Sequence, residues 1–368
     1  MKEKDWEYEY WFACVRRMCA KTKKRIRDNV PSAKDIYYME ETELKRWTEK
    51  EEEAEELLES KKSWNLEKEY ERLLKEGISF LPYFHSEYPK SLECLHSAPY
   101  AVYRKGHGIS EHTVKAAIVG ARQCSPYGER MAMEFGEVLA AKGIDIISGM
   151  ARGVDGAGHR GALNVGGRSF GILASGVDIC YPKEHIGLYV DLQERGGLYS
   201  EFPPGTRPLP QFFPARNRLI SACADIILVM EAKEKSGSLI TADQALELGK
   251  DVYALPGPVN SALSVGCNRL IRQGAGILLS PEELLEELCI SGSEGMKKKL
   301  KNKIKLESRE NMVYSCLGLY PKNVNQLMEE TKMQISDLMN QLISLQVKGY
   351  VEEISKNYYV RKAGFGGV

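Results

Sequence analysis

The chain has 368 residues, enough for two or three domains around a sizeable core, and its 51 basic and 51 acidic residues cancel. Global charge therefore gives no argument for nucleic acid, and any basic surface must be local. Nine cysteines without a C-x-x-C pair, and six scattered histidines without an H-E-x-x-H, exclude a disulfide scaffold and the common zinc motifs. The N-terminus is charged and aromatic, and no apolar run approaches the roughly 20 residues of a membrane helix. These features predict a soluble, cytoplasmic protein with reduced thiols and no membrane span.

Residues 1–78 read as a helical domain. Leu44, Leu57, Leu58, Leu66, Leu73 and Leu74 recur among Glu and Lys, and no proline or glycine interrupts 40–75. Pro31-Ser32-Ala33 marks a helix break, with Ser32 placed to cap the next helix. Across 79–290 the pattern changes. Apolar runs at 116–119, 144–147, 169–174, 226–230, 252–255 and 277–279 read as strands buried on both faces, and stretches such as 131–141 and 242–248 have helical spacing. The alternation predicts an α/β fold with a doubly wound, mostly parallel sheet, whose ligands gather outside the carboxyl ends of its strands.

Residues 291–306 read as a linker, Gly/Ser-rich and then lysine-rich from Lys297 to Lys305. Residues 307–368 read as a winged helix: helices near 309–317, 324–330 and 336–345, then a hairpin over 349–360. Its recognition-helix position, Gln334 to Gln341, carries no lysine or arginine. Helices that read a major groove bring basic side chains to phosphates and base edges, so this segment favours protein contact or a structural role.

The turns that end the central strands carry the chemistry. They are Val119-Gly120-Ala121-Arg122, then Ser148-Gly149-Met150-Ala151-Arg152-Gly153-Val154-Asp155, then Phe213-Pro214-Ala215-Arg216-Asn217-Arg218, followed by Ser236-Gly237-Ser238. Arg122, Arg152, Arg216 and Arg218 offer forked guanidinium groups for phosphate, and Gly120, Gly149, Ser236 and Gly237 offer backbone donors at helix starts. Phe213 and Tyr127 offer faces on which bases stack. A Walker A loop is excluded, because the sole Gly-Lys pair, Gly249-Lys250, precedes Asp251. The dinucleotide fingerprint is missing too, since Arg122 stands where a small residue would face the pyrophosphate. Phosphate contacts with aromatic platforms and no base-reading helix fit single-stranded nucleic acid. Asp155 reads as helix-start charge and His159 as structural. Asp178 and Glu201 lie near strand ends, but with no nucleophile and no carboxylate cluster they support neither catalysis nor a metal, and no cofactor is expected.

Taken together, these motifs resemble the bacterial DNA-processing family DprA (Smf). To them belong Ser200-Glu201-Phe202-Pro203-Pro204-Gly205, Ser238-Leu239-Ile240-Thr241, Pro256-Gly257 and Gly266-Cys267-Asn268, all in order between Ile118 and Ile271, with Tyr88-Pro89-Lys90 upstream. The resemblance implies a Rossmann-like core that binds single-stranded DNA, works as a homodimer, and loads the RecA recombinase during natural transformation and recombination, without enzymatic activity. It also implies phosphate contacts at Arg122 and Lys183, and a pocket lined by Gly120, Ser148, Gly149, Phe213, Arg216, Asn217, Ser236 and Gly237. Two positions depart from the family: the 20–31 stretch lacks the glycine of a helix-hairpin-helix, and Ala121 replaces a common serine. The alternative is a nucleotide-binding phosphoribohydrolase of similar sheet, but its P-G-G-x-G-T turn is replaced by Lys235-Ser236-Gly237-Ser238-Leu239-Ile240-Thr241. A ligand-free protein scaffold is a third reading.

Overall fold

A computed structural model of the protein describes residues 5–288, 308–317 and 321–361; the linker expected at 291–306 lies outside the described residues. The chain divides into two compact units, Met1–Leu288 and Cys289–Val368.

The first unit opens with short helices: α1 (Trp6–Cys14), α2 (Ala20–Asn29), α3 (Ala33–Tyr38), α4 (Glu41–Trp47), α5 (Glu51–Ser63) and α6 (Leu66–Lys75). Ser32 caps α3, its Oγ accepting the Asp35 N–H at 3.1 Å. Of the leucines that mark the charged stretch, Leu44, Leu57 and Leu73 are buried, whereas Leu74 is exposed. Their core is completed by Trp11 and Phe12 of α1 and by Ile78, Phe80 and Tyr103 from the first two strands of the sheet. The helical segment thus closes its apolar side against the sheet.

The strands are β1 (Ile78–Pro82), β2 (Ala101–Gly106), β3 (Lys115–Val119), β4 (Asp145–Ser148), β5 (Ser169–Ile172), β6 (Gly196–Ser200), β7 (Ile226–Val229), β8 (Asp251–Ala254) and β9 (Gly276–Ile277). They form one sheet in the order β1-β2-β6-β5-β4-β3-β7-β8-β9. From β3 onward every pairing is parallel, and β2 and β1 extend one edge antiparallel. Each parallel step crosses over through a helix, as parallel pairing requires: α7 (Pro126–Ala141), α8 (Val154–Asn164), α9 (Ile186–Arg195), α10 (Phe212–Cys223), α11 (Gly237–Glu247) and α12 (Val265–Arg272), with α13 (Pro281–Glu287) after β9. Each of the six expected strands is present, the last overlapping only at Ile277. The chain winds outward from β3 to β6 and returns to β7 on the other side of β3. The connections leaving β3 and β7 therefore diverge and open a crevice at their carboxyl ends.

β6 has no apolar run to announce it. It begins Gly196-Gly197 because the neighbouring strand leaves no room: a Cβ on Gly196 would lie 2.7 Å from the carbonyl carbon of Ser169.

The second unit runs α14 (Ser308–Cys316), β10 (Lys322–Asn323), α15 (Val324–Thr331), α16 (Ile335–Val347), β11 (Val351–Ser355) and β12 (Tyr358–Arg361), with an antiparallel sheet ordered β10-β12-β11. This is the winged-helix order. Its core joins Val313, Leu327, Leu338, Leu342, Leu345 and Tyr359. Among the described residues no helix is long and apolar enough to cross a membrane.

Candidate functional site

A cleft of about 500 Å3 lies at the carboxyl end of β3, where the winding of the sheet reverses. β3 ends at Val119, and Gly120 follows because nothing larger fits: a Cβ there would stand 2.7 Å from Val154 Cγ2 and 3.0 Å from the Glu231 carbonyl oxygen. The turn then presents Arg122 at the surface. Its guanidinium lies over the Phe213 ring, 4.6 Å from the centroid. Tyr181 extends this aromatic wall, its ring centroid 5.8 Å from that of Phe213.

The facing wall is the N-terminus of α11. Ser236 is its cap, with Oγ 2.8 Å from Ser238 Oγ and accepting the Ser238 N–H at 3.4 Å. At Gly237 the space is open, the nearest atom to a Cβ being Asn217 Nδ2 at 4.0 Å. Asn217 of α10 bridges the walls by donating from Nδ2 to the Gly237 carbonyl at 3.2 Å. First-turn N–H groups and the positive end of α11 thus border the cleft, a setting suited to anions.

Beneath these walls the floor is a closed network. Arg216, 3% exposed, donates from Nη1 to the Gly149 carbonyl at 2.7 Å and to the Ile172 carbonyl, and from Nε to Asn217 Oδ1 at 3.2 Å. Asp155 accepts the N–H groups of Gly149 at 3.1 Å and Ala151 at 3.4 Å. Burial pushes Arg216 down to about 10, while the Asp155 carboxylate works the other way. Burial likewise pushes the Asp155 carboxyl up, against the pull of Arg216 and the two N–H groups. A Cβ at Gly149 would lie 2.6 Å from Arg216 Cζ, so a larger residue there would displace the buried guanidinium.

Of the residues expected at the site, the fold brings Gly120, Arg122, Phe213, Arg216, Asn217, Ser236 and Gly237 to the cleft lining. Gly149 lies under it, bonded to Arg216. Ser148 is fully buried and ties two strands together, its Oγ donating to the Ile118 carbonyl at 2.5 Å. Arg152 is exposed and paired with Glu184. Lys183 is exposed, two residues beyond Tyr181. Arg218 turns away from the cleft to a largely buried ion pair with Glu201. The reason is helical geometry: on α10, residues two apart project to opposite sides, so Arg216 and Arg218 cannot share one cleft. Tyr127 instead directs its hydroxyl to the Pro256 carbonyl at 3.5 Å. His159 is buried against Ser169, Nδ1 to Oγ 2.7 Å, and burial pushes it down to about 3.

Sequence reasoning passed over Tyr181, Pro208 and Pro210, which also line the cleft. Tyr181 had a signal, an aromatic beside the Pro182-Lys183 pair. Among the described residues no His/Cys/Asp/Glu cluster has the makings of a metal site.

The model of the family described as DNA recombination-mediator protein A matches residues 79–289. The chain is 36% identical over 278 residues to protein Smf of Escherichia coli, covering 74% of both chains. The chain belongs to the DNA recombination-mediator protein A family. A further member, DNA processing protein DprA of Bacillus subtilis, is 37% identical over 214 residues, 58% of this chain and 72% of that one. The fold is similar to the X-ray structure of DNA processing protein A from Streptococcus pneumoniae, with TM-score 0.66 and 30% identity over 76% of this chain and 97% of that one. It also resembles DNA processing protein A from Helicobacter pylori, a structure that describes a single-stranded DNA binding mode, with TM-score 0.52 and 27% identity over 58% and 95% of the two chains. The matched family region contains every residue of the cleft, so the cleft is part of the family's shared fold and not of the flanking segments.

Proposed function

We propose that the cleft binds the sugar–phosphate backbone of single-stranded DNA, and that the protein shields incoming strands and delivers them to the RecA recombinase, acting as a homodimer. The observation that carries the binding reading is the placement of Arg122, exposed, stacked on Phe213 and facing the N-terminus of α11. The guanidinium lies over the ring, and with no acid paired to it among the described residues its N–H groups remain available to phosphate oxygens. Ser236, Gly237 and Asn217 supply further donors, and Phe213 and Tyr181 supply surfaces for bases. Gly120 lets the backbone turn, and Gly149, Ser148 and Arg216 hold its shape from below. Lys183, exposed two residues beyond Tyr181, extends the phosphate track, and Arg152 joins it on exchanging its Glu184 partner for a phosphate. The delivery step and the dimer rest on family membership.

The test is fluorescence anisotropy with a labelled single strand, the matching duplex, and AMP. The single strand is expected to bind preferentially, with log affinity falling by roughly 0.7 per tenfold rise in salt for each phosphate contact. Arg122→Ala should cost about 1.5–3 kcal/mol of binding, the range of a hydrogen bond to a charged group, while thermal unfolding stays unchanged. Unaltered affinity in this folded variant would remove the site, and tight AMP binding with release of ribose 5-phosphate would move the protein to the phosphoribohydrolase class.

A further inference from the structure

A second cavity, of about 630 Å3, lies between α1–α2 and the segment that follows β6. It shares a wall with the first cleft. Along 207–213 the residues divide between the two: Pro208, Pro210 and Phe213 line the first, and Arg207, Leu209 and Phe212 line the second. A ridge one chain thick thus separates the two spaces.

The second cavity combines an aromatic body with positively charged side chains, and the Glu56 carboxylate, which is not on the lining, accepts the Arg16 backbone N–H at 2.9 Å. Phe202 and Phe212 stack with ring centroids 4.2 Å apart, and Met18 and Tyr103 add further apolar surface. Arg16 and Arg207 stand exposed on its lining and have no ion-pair partner among the described residues. Deeper in, Lys23 is 6% exposed, and its Nζ donates to the Ala13 carbonyl at 2.5 Å. Burial holds Lys23 down at about 8, with Cys14 and the Glu56 carboxylate pulling the other way. The single carboxylate on the lining, Glu201, is paired with Arg218 through Oε2, and its Oε1 is buried without a hydrogen-bond partner. Three cations and an aromatic stack, against one carboxylate already ion-paired with Arg218, describe a receptor for an aromatic anion of nucleotide size.

We infer that this cavity is a second nucleotide subsite, in which a strand leaving the first cleft crosses the Pro208–Pro210 ridge, stacks a base on the Phe202–Phe212 pair and sets its phosphates against Arg16 and Arg207. The inference rests on the single-strand reading of the first cleft. It gives the helical segment a part in binding, through Arg16 and Lys23, that needs no helix-hairpin-helix.

The test compares thymidine oligonucleotides of about 4 and about 16 nucleotides, the range spanned by single-strand-binding folds. The double variant Arg16→Gln/Arg207→Gln changes two exposed side chains and leaves the core untouched. It should keep the wild-type affinity for the short strand, lose about tenfold on the long one, and reduce the salt slope for the long strand by about 1.4, the share of two phosphate contacts. Arg122→Ala should weaken both lengths. If Arg122→Ala weakens both and the double variant weakens neither, the second subsite falls while the first cleft stands. If Arg122→Ala weakens neither, the first reading itself falls, and this one with it. Photo-crosslinking with 5-iodouracil in the long strand supplies an independent readout: adducts on the peptide carrying Phe202, or at Phe212 or Tyr103, are expected, and adducts confined to Tyr181 and Phe213 would overturn the inference.

Discussion

The floor and the mouth of the cleft both rely on arginine, and they use it in opposite ways. Arg216 in the floor directs its donors at the carbonyls of Gly149 and Ile172, at the ends of adjacent strands, with the Asp155 carboxylate close by. Arg122 at the mouth rests on an aromatic ring, with no acid paired to it among the described residues. A buried guanidinium whose hydrogen bonds are satisfied within the chain holds backbone in place. An exposed one stacked by its face keeps its hydrogen-bonding edge for a visitor. On the proposed reading, the same residue type therefore belongs to architecture in one case and to recognition in the other.

The sharpest way to break this division is Arg216→Met. If Arg216 is architectural, its loss leaves the Gly149 and Ile172 carbonyls without their side-chain donor and Asp155 without a nearby cation, and should cost roughly 1–3 kcal/mol of stability for each buried group left unsatisfied. Urea unfolding is the measurement. A stable variant that had lost only DNA affinity would put Arg216 on the recognition side instead.

A second contrast is in what each region responds to. Behind the floor, His159 is buried and neutral, its pKa pushed from 6.5 to about 3. Between those values the unfolded chain takes up a proton that the folded chain refuses, so stability should fall as pH drops from about 6.5 towards 3, by up to a few kcal/mol, and be fully present above that window. His159→Asn should flatten this acid limb in a pH series of thermal melts. The mouth should instead answer to salt. The smallest effect is expected from removing residues 307–368: α16 carries no lysine or arginine from Ile335 to Val347, so single-strand affinity measured by anisotropy should stay essentially unchanged. A large loss would give the winged helix a direct role in binding.

Much of the sheet was legible because parallel strands buried on both faces are unbroken apolar runs. The exceptions have physical reasons. β6 starts with two glycines forced by the approach of Ser169, and β1 and β2 mix polar residues and proline into their runs, so none of the three gives a continuous apolar signal. The site was legible as a set of strand-end turns but not as a surface. Ser148 and Gly149 sit in such a turn and face inward, and Arg218 shares a motif with Arg216 yet lies on the other side of α10. The helical period alone separates those two arginines, and a motif read as a string hides it. Arg152 and Lys183 remain near the site only as exposed neighbours, since a turn's sequence does not say which way a long side chain swings. Tyr181 and the two ridge prolines escaped notice because they lie on connecting segments, where no periodicity assigns a facing.

The stacking of Arg122 on Phe213 has a thermodynamic consequence. A free arginine side chain carries about 2 kcal/mol of rotamer entropy, much of which a ligand must remove in order to be held. Here part of that freedom is already surrendered when the protein folds, so under the single-strand proposal an arriving phosphate would meet a donor with its torsions narrowed. On that proposal the ring would contribute to affinity without touching a phosphate, by shortening the list of conformations from which Arg122 must be recruited.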